Sequence, residues 1–123
     1  MLFAAQVPPK ALRIAQNNVT VVGANSDSPR ATIWTVPVGR KFTLVGLGTD
    51  QSSASIDLLA FHVIGSQAVQ LCDRQCNTLP TDEKTVPMNE IFGVGESLTV
   101  GIRNRTGGGV TPDLYVFYTD EPA

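Results

Sequence analysis

Charge is scarce in this chain, and so are the residues that most often do chemistry. Only 16% of its 123 residues are Asp, Glu, Lys or Arg, against about a quarter in a typical soluble protein. A net charge of -2 argues against a general nucleic-acid binder, which needs a clustered basic face. The same balance argues against a polybasic membrane anchor. Histidine occurs once and cysteine twice, too few ligands for a structural zinc site. There is no G-x-S-x-G elbow, no EF-type calcium loop and no G-K-[ST] phosphate loop, since Gly107-Gly108-Gly109-Val110-Thr111 lacks that ending. No apolar run is long enough to span a membrane; the longest, near Leu58 to Ile64, is interrupted by His62. Met1-Leu2-Phe3-Ala4-Ala5 is apolar, but Gln6 ends it and no basic n-region accompanies it. The expectation is therefore a protein made in a cytoplasm rather than one led by a signal peptide. Helical spacing and internal repeats are also missing.

What is present reads as strands. Short β-branched and aromatic runs punctuated by Gly and Pro recur at the spacing of a sandwich. They are Ala31 to Val36, Lys41 to Leu47, Ser55 to Ile64, Ala68 to Cys72, Thr85 to Phe92 (broken by Pro87), Leu98 to Arg103 and Leu114 to Thr119. Leu98, Val100 and Ile102 alternate with Ser97, Thr99 and Arg103, the clearest period of two. In the last run Leu114, Val116 and Tyr118 share one face, and Tyr115 and Phe117 the other. Large apolar groups on both faces imply a strand covered twice, by the core and by something else. About eight strands without a helix point to a single antiparallel β-sandwich, jelly-roll-like. A length of 123 residues suffices for one domain with a real core.

The first thirty residues differ from the rest. Val7-Pro8-Pro9-Lys10 suits neither a helix nor a central strand. Met1 to Lys10 reads as an extended arm, and Ala11 to Gln16 and Asn18 to Val22 as first short strands. The organisation expected is thus arm and first strands over 1–30, then a sandwich over 31–123. The arm is either a frayed terminus or a segment that orders on a neighbouring subunit, covering Leu2, Phe3 and Val7.

The chemical candidates are few, and each has a plain structural reading. Cys72 and Cys76 flank Asp73-Arg74-Gln75. They read first as free thiols in a reducing compartment, and second as a disulfide across a tightly turned loop. His62, beside Phe61 and Val63 in a strand, lacks a nucleophile and reads as packed and hydrogen-bonded. Asp57, Asp82, Glu83, Glu90 and Glu96 read as solvated loop carboxylates. Arg40-Lys41 with Arg103 and Arg105 form a modest positive patch if their turns share one end of the sandwich. Trp34, Tyr115, Phe117 and Tyr118 admit a sugar-stacking reading, although core packing explains them as well. No enzyme activity, cofactor or metal is expected.

The run Thr35-Val36-Pro37-Val38-Gly39-Arg40-Lys41-Phe42-Thr43-Leu44 is similar to a V-P-x-G-[KR]-x-[FY]-x-L opening found in small β-sandwich proteins of tailed-phage virions. Gly95-Glu96-Ser97-Leu98-Thr99-Val100 resembles the matching strand entry, and Leu114 to Asp120 the closing strand. The resemblance covers roughly Ala31 to Asp120 and marks the fold only. It implies a capsid cement or decoration protein, with head-fibre, tail and baseplate modules as relatives. A cement protein would be a homotrimer on the capsid exterior, binding the major capsid protein and neither nucleic acid nor membrane. In that role Leu2, Phe3, Val7 and Pro8 of the arm would contact the capsid, and Tyr115 and Phe117 would form the subunit interface. The alternative is a receptor- or carbohydrate-binding module of a phage tail fibre or baseplate.

Overall fold

The computed structural model describes residues 11–18, 23, 25–27, 30–79 and 85–123. Among them the strands run, in order, β1 (Ala11–Asn18), β2 (Ser26–Asp27), β3 (Ala31–Thr35), β4 (Arg40–Thr49), β5 (Ile56–Ile64), β6 (Gln67–Gln75), β7 (Thr85–Phe92), β8 (Ser97–Asn104) and β9 (Asp113–Pro122). A 3-10 turn, Cys76–Thr78, follows β6. One sheet has the order β1-β9-β4-β7; the other has β2-β8-β5-β6, with β3 also on β8. β2 pairs with residues 103–104 of β8 and β3 with residues 97–100, so the two share one edge position. Every pairing is antiparallel. Apart from the β2–β3 and β5–β6 links, each connection passes from one sheet to the other. That alternation is the jelly-roll way of building a sandwich.

The core follows from the period of two. Leu98, Val100 and Ile102 on β8 and Leu114 and Val116 on β9 are all at most 1% exposed. They meet Leu44 and Leu47 of β4, Ile56, Leu58 and Ala60 of β5, and Phe92 of β7. A β-bulge at Val45 shifts the phase of β4, so that Phe42 and Leu44 face inward before it and Leu47 after it. β7 is continuous through Pro87, which lies on an edge strand at the matching irregularity of the β4–β7 ladder. There a missing N–H interrupts little of the ladder. β1 pairs along its whole length with β9, from Ala11↔Asp120 to Asn18↔Asp113. It is thus part of the four-stranded sheet, although the sequence grouped it with the arm.

Candidate functional site

The register defines an unusual outer surface on the four-stranded sheet. Phe117 stands opposite Gly46, which stands opposite Pro87; Thr119, Thr43 and Ile91 form the next row. Tyr115 stands opposite Gly48. Paired residues of adjacent strands share a face, so these side chains all point away from the core. Phe117 lies across Gly46, where a Cβ would meet its Cδ1 at 3.6 Å. Among the described residues the centre of this face carries no charge; the Lys41–Glu121 ion pair, at 3.2 Å, borders it at one end, and Asp113 lies two residues before Tyr115 at the other. Tyr115 and Phe117 are half-buried here, and Ile91 is exposed.

One end of the sandwich carries apolar turn tips. Pro37-Val38-Gly39-Arg40 closes with the Arg40 N–H on the Pro37 carbonyl, with Gly39 at φ 84°. Gly93-Val94-Gly95-Glu96 closes the same way, with Gly95 at φ 82°. Both are type II turns, whose third residue needs positive φ. The two are joined, since Val36 N–H donates to the Glu96 carbonyl and Gly95 N–H to that of Val36. Val38, 88% exposed, and Val94 occupy the tips, with Ile64 at the β5–β6 hairpin of the same end. Behind them lies a ring cluster in which Trp34 meets Phe42 and Phe92 edge-on at 5.4 Å and Tyr118 at 4.4 Å. Trp34 is buried and unavailable for stacking on a sugar.

His62 closes this end from inside. It is 5% exposed, with Nδ1 2.7 Å from Glu90 Oε2 and Nε2 2.7 Å from Glu96 Oε1. Its ring lies over Phe92 at 3.8 Å. Glu96 also accepts the Gly93 N–H at 2.9 Å. That bond, with the one from His62, holds its carboxyl below the usual glutamate range. Glu90 and Glu96 are therefore partners of a buried imidazole, not solvated loop carboxylates.

The opposite end is organised by Asp57. It is buried, and accepts hydrogen bonds from Arg105 at 2.8 and 3.1 Å and from Arg103 at 3.2 Å. The Arg105 hydrogen bonds above all hold its carboxyl below the usual aspartate range. Arg103 also reaches Asp73, and Arg40 pairs at the other end with Asp120 at 2.7 Å. The expected positive patch is not formed: its two halves lie at opposite ends, and each is neutralised. Asn104, fully buried, ties the glycine loop by donating to Gly108 O and accepting from the Thr106 N–H.

Cys72 and Cys76 are free and buried, with no disulfide between them. Burial pushes their thiols up to about 11 and about 12, which leaves them unreactive. Leu2, Phe3, Val7, Pro8, Asp82 and Glu83 lie outside the described residues. Among the described residues no group of three or more His, Cys, Asp or Glu side chains is arranged to hold a metal ion. The sequence reading missed the glycines opposite Tyr115 and Phe117. Their signal was Gly46 and Gly48, two apart within an apolar strand. It also missed the two turn-tip valines, where a polar residue is the ordinary choice.

No protein-family model matches the chain, and no curated protein matches it in sequence. Among solved structures it is similar to two crystal structures of a pentameric capsid protein isolated from metagenomic phage sequences. They are 16% and 15% identical, with TM-scores of 0.34 and 0.36, each over 88% of this chain. It is also similar to the VP2 subviral particle of infectious bursal disease virus, 14% identical over 91% of this chain, with a TM-score of 0.40. The chain spans 62%, 61% and 38% of the lengths of these three. At such TM-scores the likeness carries no argument about function, and the fold rests on the strand order itself.

Proposed function

We propose that this protein is a non-enzymatic structural component of a virion, a decoration protein that self-associates and stabilises a shell. The observation that carries the reading is the outer face of the β9-β4-β7 sheet. Tyr115, Phe117, Pro87 and Ile91 surround a strip of Gly46, Gly48 and Thr43 with no charge among them. A sheet face of that composition is the kind a neighbour covers. Tyr115 and Phe117 form the subunit interface in this reading, and the assembly is a homotrimer on the capsid exterior. Residues 1–10, with Leu2, Phe3, Val7 and Pro8, reach the major capsid protein. Burial at about 25 cal/mol per Å² makes even a modest contact effective when it is repeated over a shell. The fold and the phage-virion pattern at Thr35–Leu44 support the same reading. A glycan-binding module, the alternative, would need several exposed rings on one face; of the four candidate rings Trp34 is buried, Tyr118 packs against it, and Tyr115 and Phe117, which share the outer face, are both half-buried.

The test is co-sedimentation with undecorated phage shells. Full-length protein is expected to pellet with shells and raise their melting temperature. A truncation lacking residues 1–10 is expected to remain folded and stay in the supernatant. Failure of the full-length protein to bind, together with retention on glycan arrays, would overturn the decoration reading in favour of the alternative.

A further inference from the structure

The contacts of His62 count protons. A neutral imidazole offers one N–H donor and one bare nitrogen, whereas an ionised carboxylate only accepts. Here both ring nitrogens face carboxylate oxygens at 2.7 Å. With both carboxylates ionised, the two hydrogen bonds exist together only on an imidazolium, which carries one proton more than the neutral ring. We propose that Glu90, His62 and Glu96 form a proton-operated latch that ties the two sheets together at the apolar end and opens when the ring loses its proton.

The elements joined make this a latch rather than a surface ion pair. His62 belongs to β5 of one sheet, Glu90 to β7 of the other, and Glu96 to the β7–β8 turn. That turn carries Val94 and is bonded through Val36 to the connection that carries Val38. The groups facing the ring are few. Val69 on β6 and Leu98 on β8 are its apolar register partners, and Phe92 on β7 stacks on it. Glu90 and Glu96 are the charged groups that meet it among the described residues. Burial strengthens both charged hydrogen bonds.

Deprotonation leaves one donor for two acceptors, and a lone pair then faces a carboxylate across 2.7 Å. Glu96 keeps its bond, because the Gly93 N–H also holds it and its side chain is the less exposed, at 27% against 36%. Glu90 is released, and with it the inner tie of edge strand β7 near exposed Ile91. The sign is fixed by the proton count. The tie is present while the ring is protonated and is lost as pH rises through its titration. At the acid limit it fails only when a glutamate is protonated, and for Glu96 that lies below the ordinary glutamate range.

The test uses the intact wild-type protein. Because the chain has a single histidine, its imidazole ¹⁵N spectrum reports this site without assignment. With the ring protonated two protonated ring nitrogens are expected; once it has lost its proton one of them becomes bare. Across the same step the melting temperature is expected to fall by about 5 °C. Glu90→Gln should abolish that fall, since an amide N–H can donate to the bare nitrogen. A ring with one bare nitrogen at the acid end, or a melting temperature indifferent to the titration in the wild type, would overturn the latch. Shell binding plays no part in either readout, so the latch stands or falls apart from the decoration role.

Discussion

Asp57 is a buried carboxylate between two guanidinium groups, and its removal tests how far the sandwich end depends on it. Arg103 and Arg105 are each partly exposed, at 36% and 42%, so water compensates some of the loss. Asp57→Asn is expected to cost about 1–3 kcal/mol, read as a lower urea midpoint with unchanged slope. Its carboxyl titrates below the ordinary range in the folded state. The stability it supplies is complete above the unfolded aspartate range and disappears as pH falls through the lowered native value. The variant should therefore lose less stability in acid than the wild type does. Leu44, fully buried between the sheets, is expected to cost about 2–5 kcal/mol when cut to alanine. Two glycines should behave oppositely. Gly39 sits at φ 84° with open space around it, so Gly39→Ala costs about 1–2 kcal/mol of backbone strain. A Cβ at Gly46 makes an ordinary 3.6 Å contact with Phe117, so Gly46→Ala should be neutral or slightly stabilising in the isolated protein. Thermal melts of the pair distinguish the two cases.

At the scale of elements, strands with an uninterrupted period were legible and bulged ones were not. β8 alternates cleanly, and its inward residues are those the sequence marked. β9 shows two apolar faces: Leu114 and Val116 pack into the core, and Tyr115 and Phe117 are half-buried on the outer face. β4 was cut short at Leu47 because the bulge at Val45 puts its later inward residues out of phase with the earlier ones. β6 was ended at Cys72, although the strand runs to Gln75. Its own irregularity beside Leu71 and its exposed polar face hide the period. The His62 cluster was illegible for another reason. Glu90 and Glu96 lie 28 and 34 residues from the histidine, and only the crossing between sheets brings them together. β1 supplies the prediction at this scale. Its eight residues pair throughout with β9, so deleting residues 1–18 strips the sheet edge, whereas deleting residues 1–10 does not. The longer deletion is expected to lower the melting temperature by more than about 10 °C, and the shorter one to leave it unchanged. Equal melting temperatures would show that β1 adds little to the sandwich.

For the whole molecule, the strand order produces two apolar surfaces and pairs several of the described charges within the chain. The sheet face around Phe117 is broad and uncharged; the turn tips at Val38 and Val94 are small and pointed. Arg40–Asp120, Lys41–Glu121 and the Asp57 cluster pair charge within the chain, so neither surface has strong long-range steering. Contact by area is what such a molecule offers a partner, and a second copy of itself is the partner that the Phe117 face is proposed to meet. The most direct measurement is therefore solution mass by light scattering, for the wild type and for Phe117→Asp. The account predicts three times the 13.1 kDa protomer mass for the wild type, and a folded single protomer for the variant. A wild type that scatters as one protomer at every concentration tried would contradict the claim that this sheet face is a subunit interface.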